Sequence, residues 1–115
     1  MITKPIRVGY VDYSVELSTS LPEDDYGMCD PHMKCIYIST DQGPRSAADT
    51  YLHELLHAIW FESGLFKVKR ADEEHIVHTT ATWLTIVMQN NPHVTAILQN
   101  PEQYWNNTPT AKKGS

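Results

Sequence analysis

The sequence predicts a small α+β domain, with strands first and helices after. Three observations carry that expectation. The first 40 residues hold short runs of β-branched and aromatic residues alternating with polar ones, the period of a half-buried strand. From about residue 47 the apolar residues recur every three or four positions, the period of a helix. The chain is 115 residues long, which suits one domain around one core.

The elements follow in order. "IRV" and "DYSVELS" read as two strands, with Gly9 marking a turn or bulge between them. In the second run Tyr13, Val15 and Leu17 share one face, and Ser14, Glu16 and Ser18 the other. "LPEDDYG" is a polar connection to "YGMCDPHMKCIYIST", a hairpin turning at Asp30-Pro31, whose second strand runs from Lys34 to Ser39. That hairpin would bring Cys29 and Cys35 near one another. Ser46, with Asp49 three residues on, resembles a capping box for a helix over 47–62, closed by Gly64. "LFKVKRA" is a loop. A second helix covers 72–89 and stops before Asn91-Pro92. A third covers 92–99, with Pro92 at its first position. The domain is expected over 1–100, and residues 101–115 as a loose tail, polar apart from Tyr104 and Trp105.

Composition narrows the function classes. A nucleic-acid backbone calls for a basic face. The formal charge here is −5, and the basic clusters are the short "KVKR" at 67–70 and Lys112 with Lys113, so nucleic acid is not an expected partner. No apolar run approaches the ~20 residues of a membrane helix. "MITKPIRVGY" lacks the apolar stretch of a secretory signal. The expectation is a cytoplasmic protein whose two cysteines are free thiols.

The chemistry lies in "TYLHELLHAIW". Helical residues turn about 100° each, so His53 and His57 project about 40° apart, one turn along the same face. Two imidazoles so placed can hold one zinc ion. Glu54, about 100° round from His53, cannot join them as a ligand, but it can reach a metal-activated water as a general base. With His53 at zero, Leu52, Leu55, Leu56 and Ile59 fall between about 200° and 300°. The apolar stripe thus lies beside the histidines, and their other flank faces a cleft. The plain alternative is an amphipathic helix with polar decoration.

Catalytic zinc takes three protein ligands and one open position. The available donors are Glu73, Glu74, His75 and His78 in "ADEEHIVHTTATWL". The expected buried stripe of that helix is Val77, Thr80, Ala81, Leu84 and Met88, flanked by Ile76 and Val87. Glu73 points along the stripe, Glu74 stands about 100° away, and the two histidines turn toward solvent. Glu73 is therefore the expected third ligand and Glu74 its rival. Acids in a first helical turn also occur for electrostatic reasons alone.

His53-Glu-Leu-Leu-His57, followed by a glutamate on the next helix, resembles the gluzincin arrangement. The short chain, with strands before the motif and a glutamate helix after it, is similar to minimal zincins and to the ImmA/IrrE-like metallopeptidases of phage and mobile elements. The resemblance spans residues 13–92. It implies a zincin-like fold, a Zn²⁺ cofactor and hydrolysis of peptide bonds in a protein substrate, with Glu54 as the base. It further implies that the last strand before the active helix, between Lys34 and Ser39, edges the cleft and pairs with an extended peptide. His32, Tyr37, His75 and His78 are candidates to stabilise the oxyanion, and Asp49 and Asp72 to orient a ligand or cap a helix. Two other readings stand beside this one: a non-catalytic metal-binding or interaction module on the same scaffold, and a structural protein with a coincidental motif.

Overall fold

The computed structural model describes residues 4–22, 25–70 and 72–105. Among them are four strands, β1 (Ile6–Val8), β2 (Val11–Ser18), β3 (Gly27–Asp30) and β4 (Cys35–Ser39), and four helices, α1 (Pro44–Glu62), α2 (Glu73–Asn90), α3 (Pro92–Gln99) and α4 (Pro101–Trp105). A short 3-10 turn, Leu65–Lys67, lies in the expected loop. The expected α+β order holds. No described helix is long and apolar enough to cross a membrane.

The strands form one mixed sheet in the order β1-β2-β4-β3. β1–β2 and β3–β4 are antiparallel hairpins, and β2 runs parallel to β4. β4 is therefore an inner strand. The expectation that residues 34–39 edge the cleft is corrected: β2 and β3 occupy both sides of β4, and the outer strand is β3. Hydrophobic alternation could place side chains on faces, but strand order depends on which strand takes the second edge.

One face of the sheet packs on α1. Val15 pairs with Ile36 and Leu17 with Ile38. Ile6, Val8, Tyr13, Ile36 and Ile38, each fully buried, meet Tyr51, Leu55, Ala58 and Ile59 of α1. The opposite face carries Ser14, Glu16, Met28 and Tyr37. Cys29 and Cys35 are both free thiols. They are close in register, but Cys29 pairs with Ile36 and Asp30 with Cys35. Successive side chains alternate between faces, so the two thiols lie on opposite sides of the sheet.

α1 starts earlier than expected. Pro44 takes the first turn and Gly43 the N-cap position, without a side-chain cap. Ser46 is inside the helix, and its hydroxyl donates to Gln42 Oε1 at 2.6 Å, so the expected capping box is absent. Gly64, in the left-handed region at φ 82°, ends the segment as expected. Asp72 does cap α2, accepting from the His75 backbone N–H at 2.8 Å.

α2 departs further. Its expected buried stripe holds in part: Thr80, Leu84 and Met88 are half-buried, Leu84 and Met88 against the core, but Val77 is 55% exposed and Ala81 exposed, and Val87 is the fully buried residue. The inward line is Ile76, Thr80, Trp83 and Val87. The reason is the neighbour α2 meets. It packs on the β1 end of the sheet and, to a lesser and equal extent, on α1 and α3; Trp83 lies against Gly9, so closely that a Cβ on Gly9 would come within 2.8 Å of the ring. Asn91 fixes this end. Its side-chain oxygen accepts from the Arg7 backbone N–H at 2.9 Å, and its amide donates to the carbonyls of Arg7 (3.0 Å) and Val87 (2.7 Å).

The expected loose tail is corrected over its first five residues. Pro101–Trp105 forms α4, and Trp105 is fully buried, edge-on to Tyr51 at 5.7 Å. A buried indole outweighs the polar residues around it. The rest of the expected tail, 106–115, lies outside the described residues.

Candidate active site

Three side chains of α1 meet the cleft beside β3. The Nε2 atoms of His53 and His57 are 3.2 Å apart, and their rings meet edge-on at 4.9 Å. Two imidazole nitrogens on one tetrahedral zinc ion, each about 2.05 Å from it, stand about 3.3 Å apart. The pair thus has the spacing of two ligands on one ion. The helical count anticipated this, because i and i+4 share a face.

Glu54 is 7% exposed, and its carboxylate makes no hydrogen bond or ion pair to any described residue. Burial raises its proton affinity above the usual carboxylate range, and nearby Asp25 adds to that; His57 and His53 act the other way. A charge-bearing group kept dry without a partner carries a free-energy cost. That cost is borne at a side chain that lines the cleft.

Gly27, which carries no ligand atom and which no motif in the sequence marks, makes the approach possible. A Cβ on Gly27 would lie 2.4 Å from Thr50 Cγ2 and 3.1 Å from Glu54 Cγ. Only a bare backbone lets β3 come this close to α1. The available signal was a glycine at the start of a strand, which often marks close backbone approach. Nor does any motif mark Lys34. It has φ 54°, rare for a residue with a side chain. Its ammonium pairs with Glu62 and lies 5.1 Å from the Phe61 ring centroid. Glu62 also accepts from the Tyr13 hydroxyl at 2.7 Å. This clamp ties the β3–β4 turn to the end of α1 and holds β3 along the cleft.

Three cavities border the histidines: one of about 270 Å³ is lined by His53, Leu56, His57 and Trp60 on α1 itself, and two lie against β3. Of those two, one, of about 460 Å³, lies between β3 and the second half of α1 and is walled by Trp60, Phe61 and Phe66. The other, of about 270 Å³, opens toward the start of β3 and includes Asp25 and Asp49. His53, Glu54 and Gly27 line both.

The structure does not bring every expected site residue here. Glu73 and Glu74 are exposed in the first turn of α2. Among the described residues, no three His, Cys, Asp or Glu side chains converge where they could hold a metal ion. On the inward line of α2 Glu73 stands about 50° off and Glu74 about 150°, so Glu73 remains the nearer of the two, though both side chains are exposed. Of the oxyanion candidates, His75 and His78 are exposed on α2, as their angles required, and Tyr37 is on the sheet face away from α1. His32 stacks edge-on with Phe61 at 5.7 Å, behind the aromatic wall. Cys29 lines the larger cavity, its thiol pushed up to about 12 by burial and by Glu54. A thiol so poor in thiolate is no ready nucleophile.

No family model, curated protein or solved structure matches this chain. The functional reading therefore rests on the residues and their placement.

Proposed function

We propose that the chain is a small zinc-dependent metallopeptidase with a gluzincin-like site on a zincin-like scaffold. The observation that carries this reading is the joint placement of two imidazole nitrogens 3.2 Å apart and a buried, unpartnered carboxylate at the next residue, all on one cleft. His53 and His57 would hold the ion. When bound, zinc supplies a Lewis acid that polarises a carbonyl and acidifies water. Glu54 takes the proton of the attacking water and returns it to the leaving nitrogen; burial brings its proton affinity closer to that task. The outer edge of β3 offers backbone groups to which an extended peptide can add as a fifth strand. Gly27 lets that strand lie close enough to Glu54 for the peptide to reach it.

The third ligand in this reading is Glu73, with Glu74 as its rival. Either would require the first turn of α2 to close on the histidines when metal binds. Titration with zinc tests this without activity. The full chain should bind one equivalent, and His53→Ala should abolish it. Glu73→Ala should weaken it about 10-fold or more, and Glu74→Ala far less. Equal effects of the two glutamates would remove Glu73 as the ligand. Catalysis is tested on a degenerate peptide library read by mass spectrometry: cleavage by the zinc-loaded chain and none by Glu54→Gln supports the reading, and identical behaviour of the two sinks it.

A further inference from the structure

We propose that the cleft selects a peptide bearing a large apolar side chain on the Trp60 side of the histidine pair and a basic side chain on the Asp25 side. This rests on the peptidase reading only in taking the occupant to be a peptide along β3. The two sides differ in chemistry. Toward Pro31 the cavity wall is aromatic: Trp60 is 40% exposed and Phe66 46% exposed, and Phe66 stacks on Phe61 at 4.7 Å with 11° between planes. Open aromatic surface in a concave site beside reactive groups marks a place where an apolar group is bound. A cavity of about 460 Å³ accommodates an aromatic side chain.

Toward Asp25 the wall is acidic. Asp25 and Asp49 are exposed, no Lys or Arg lines this cavity, and neither aspartate forms an ion pair among the described residues. Surface acids alone would carry nothing. The independent observation is Glu54, more than nine-tenths buried and unpartnered, whose side chain lines this cavity too. Three carboxylates whose basic neighbours among the described residues are the imidazoles of His53 and His57, with no Lys or Arg in the described lining, favour a lysine or arginine side chain over any neutral one. Because both cavities share Gly27, His53 and Glu54, they abut at the reacting point. The recognised side chains must flank the attacked bond. On a peptide strand, side chains two positions apart share a face, so a spacing of two or four residues lets both reach α1.

The test is binding of fluorescently labelled octapeptides to the metal-free full chain, read by anisotropy. One set carries Phe and Lys two or four residues apart, in both orders, in an Ala/Ser background. Replacing Phe by Asp, or Lys by Glu, should each weaken binding about tenfold or more. Phe66→Ala should erase the Phe preference and spare the Lys preference. Asp25→Lys with Asp49→Lys should invert the charge preference and spare the Phe preference. Absence of binding, absence of either preference, or preferences unmoved by these substitutions overturns the proposal. Cleavage of the same peptides by the zinc-loaded chain separates the two ideas. Selective binding without cleavage removes the peptidase reading and leaves the selectivity, whereas cleavage without selectivity does the reverse.

Discussion

α1 and α2 are nearly equal in length, 19 and 18 residues, yet α1 buries eight of its residues and α2 only Val87. Both carry Glu and His, and both were expected to supply metal ligands. α1 lies along the sheet, so its rotation is set by many side chains that must all fit at once. α2 touches the β1 end, α1 and α3 over a smaller surface, with Trp83 against Gly9, and Val77 and Ile86 stay exposed. An angular count is reliable for a helix clamped on a sheet, and it misleads for one held at an end. That is why His53, Glu54 and His57 face the cleft as the count required, whereas Val77 and Ala81 of the expected α2 stripe are exposed.

The largest test of this contrast is core truncation. Leu55→Ala, at a fully buried position of α1, should cost about 2–5 kcal/mol in urea unfolding. Val77→Ala on α2, at 55% exposure, should stay within about 0.5 kcal/mol. Similar costs would mean that α2 is as firmly packed as α1.

Gly27→Ala comes next. The added methyl must displace Thr50 or push β3 from α1, at about 1–3 kcal/mol. It should also disturb the histidine pair, visible as a loss of zinc affinity. A stable variant with unchanged zinc binding would show that the close approach of β3 is dispensable.

Glu54→Gln should have the opposite sign. Removing the charge of a buried, unpartnered carboxylate should raise the stability of the metal-free chain by about 0.5–2 kcal/mol, as at sites where function opposes stability. A lower melting temperature would show that Glu54 is held by interactions that support the fold.

The smallest expected effect concerns the end to which α2 is anchored. His93 of α3 lies 3.1 Å from the Pro5 carbonyl, and burial lowers its pKa from 6.5, with nearby Lys4 adding to the fall. A base with a depressed folded pKa takes up protons more readily when unfolded. Its contribution is therefore present above pH 6.5 and falls away as pH drops below it, toward the folded value. His93→Gln should flatten the pH dependence of unfolding in that window. An unchanged slope would mean that His93 does not titrate differently on folding.

The sequence by itself determined the α+β order, the β3–β4 turn at Asp30-Pro31, the α2 and α3 boundaries around Asn91-Pro92, and the shared face of His53 and His57. Each depends on residues close in the chain: strand alternation, proline geometry, helical pitch. It also carried Gly27 as a readable signal of close approach, though nothing local said which helix would come near. Only the tertiary structure decided that β3 is the edge, that Trp105 closes the core, that Lys34 clamps the hairpin to Glu62, and that α2 turns Val87 inward. Those outcomes depend on which surfaces compete for the same neighbour, and that competition involves residues far apart in the chain.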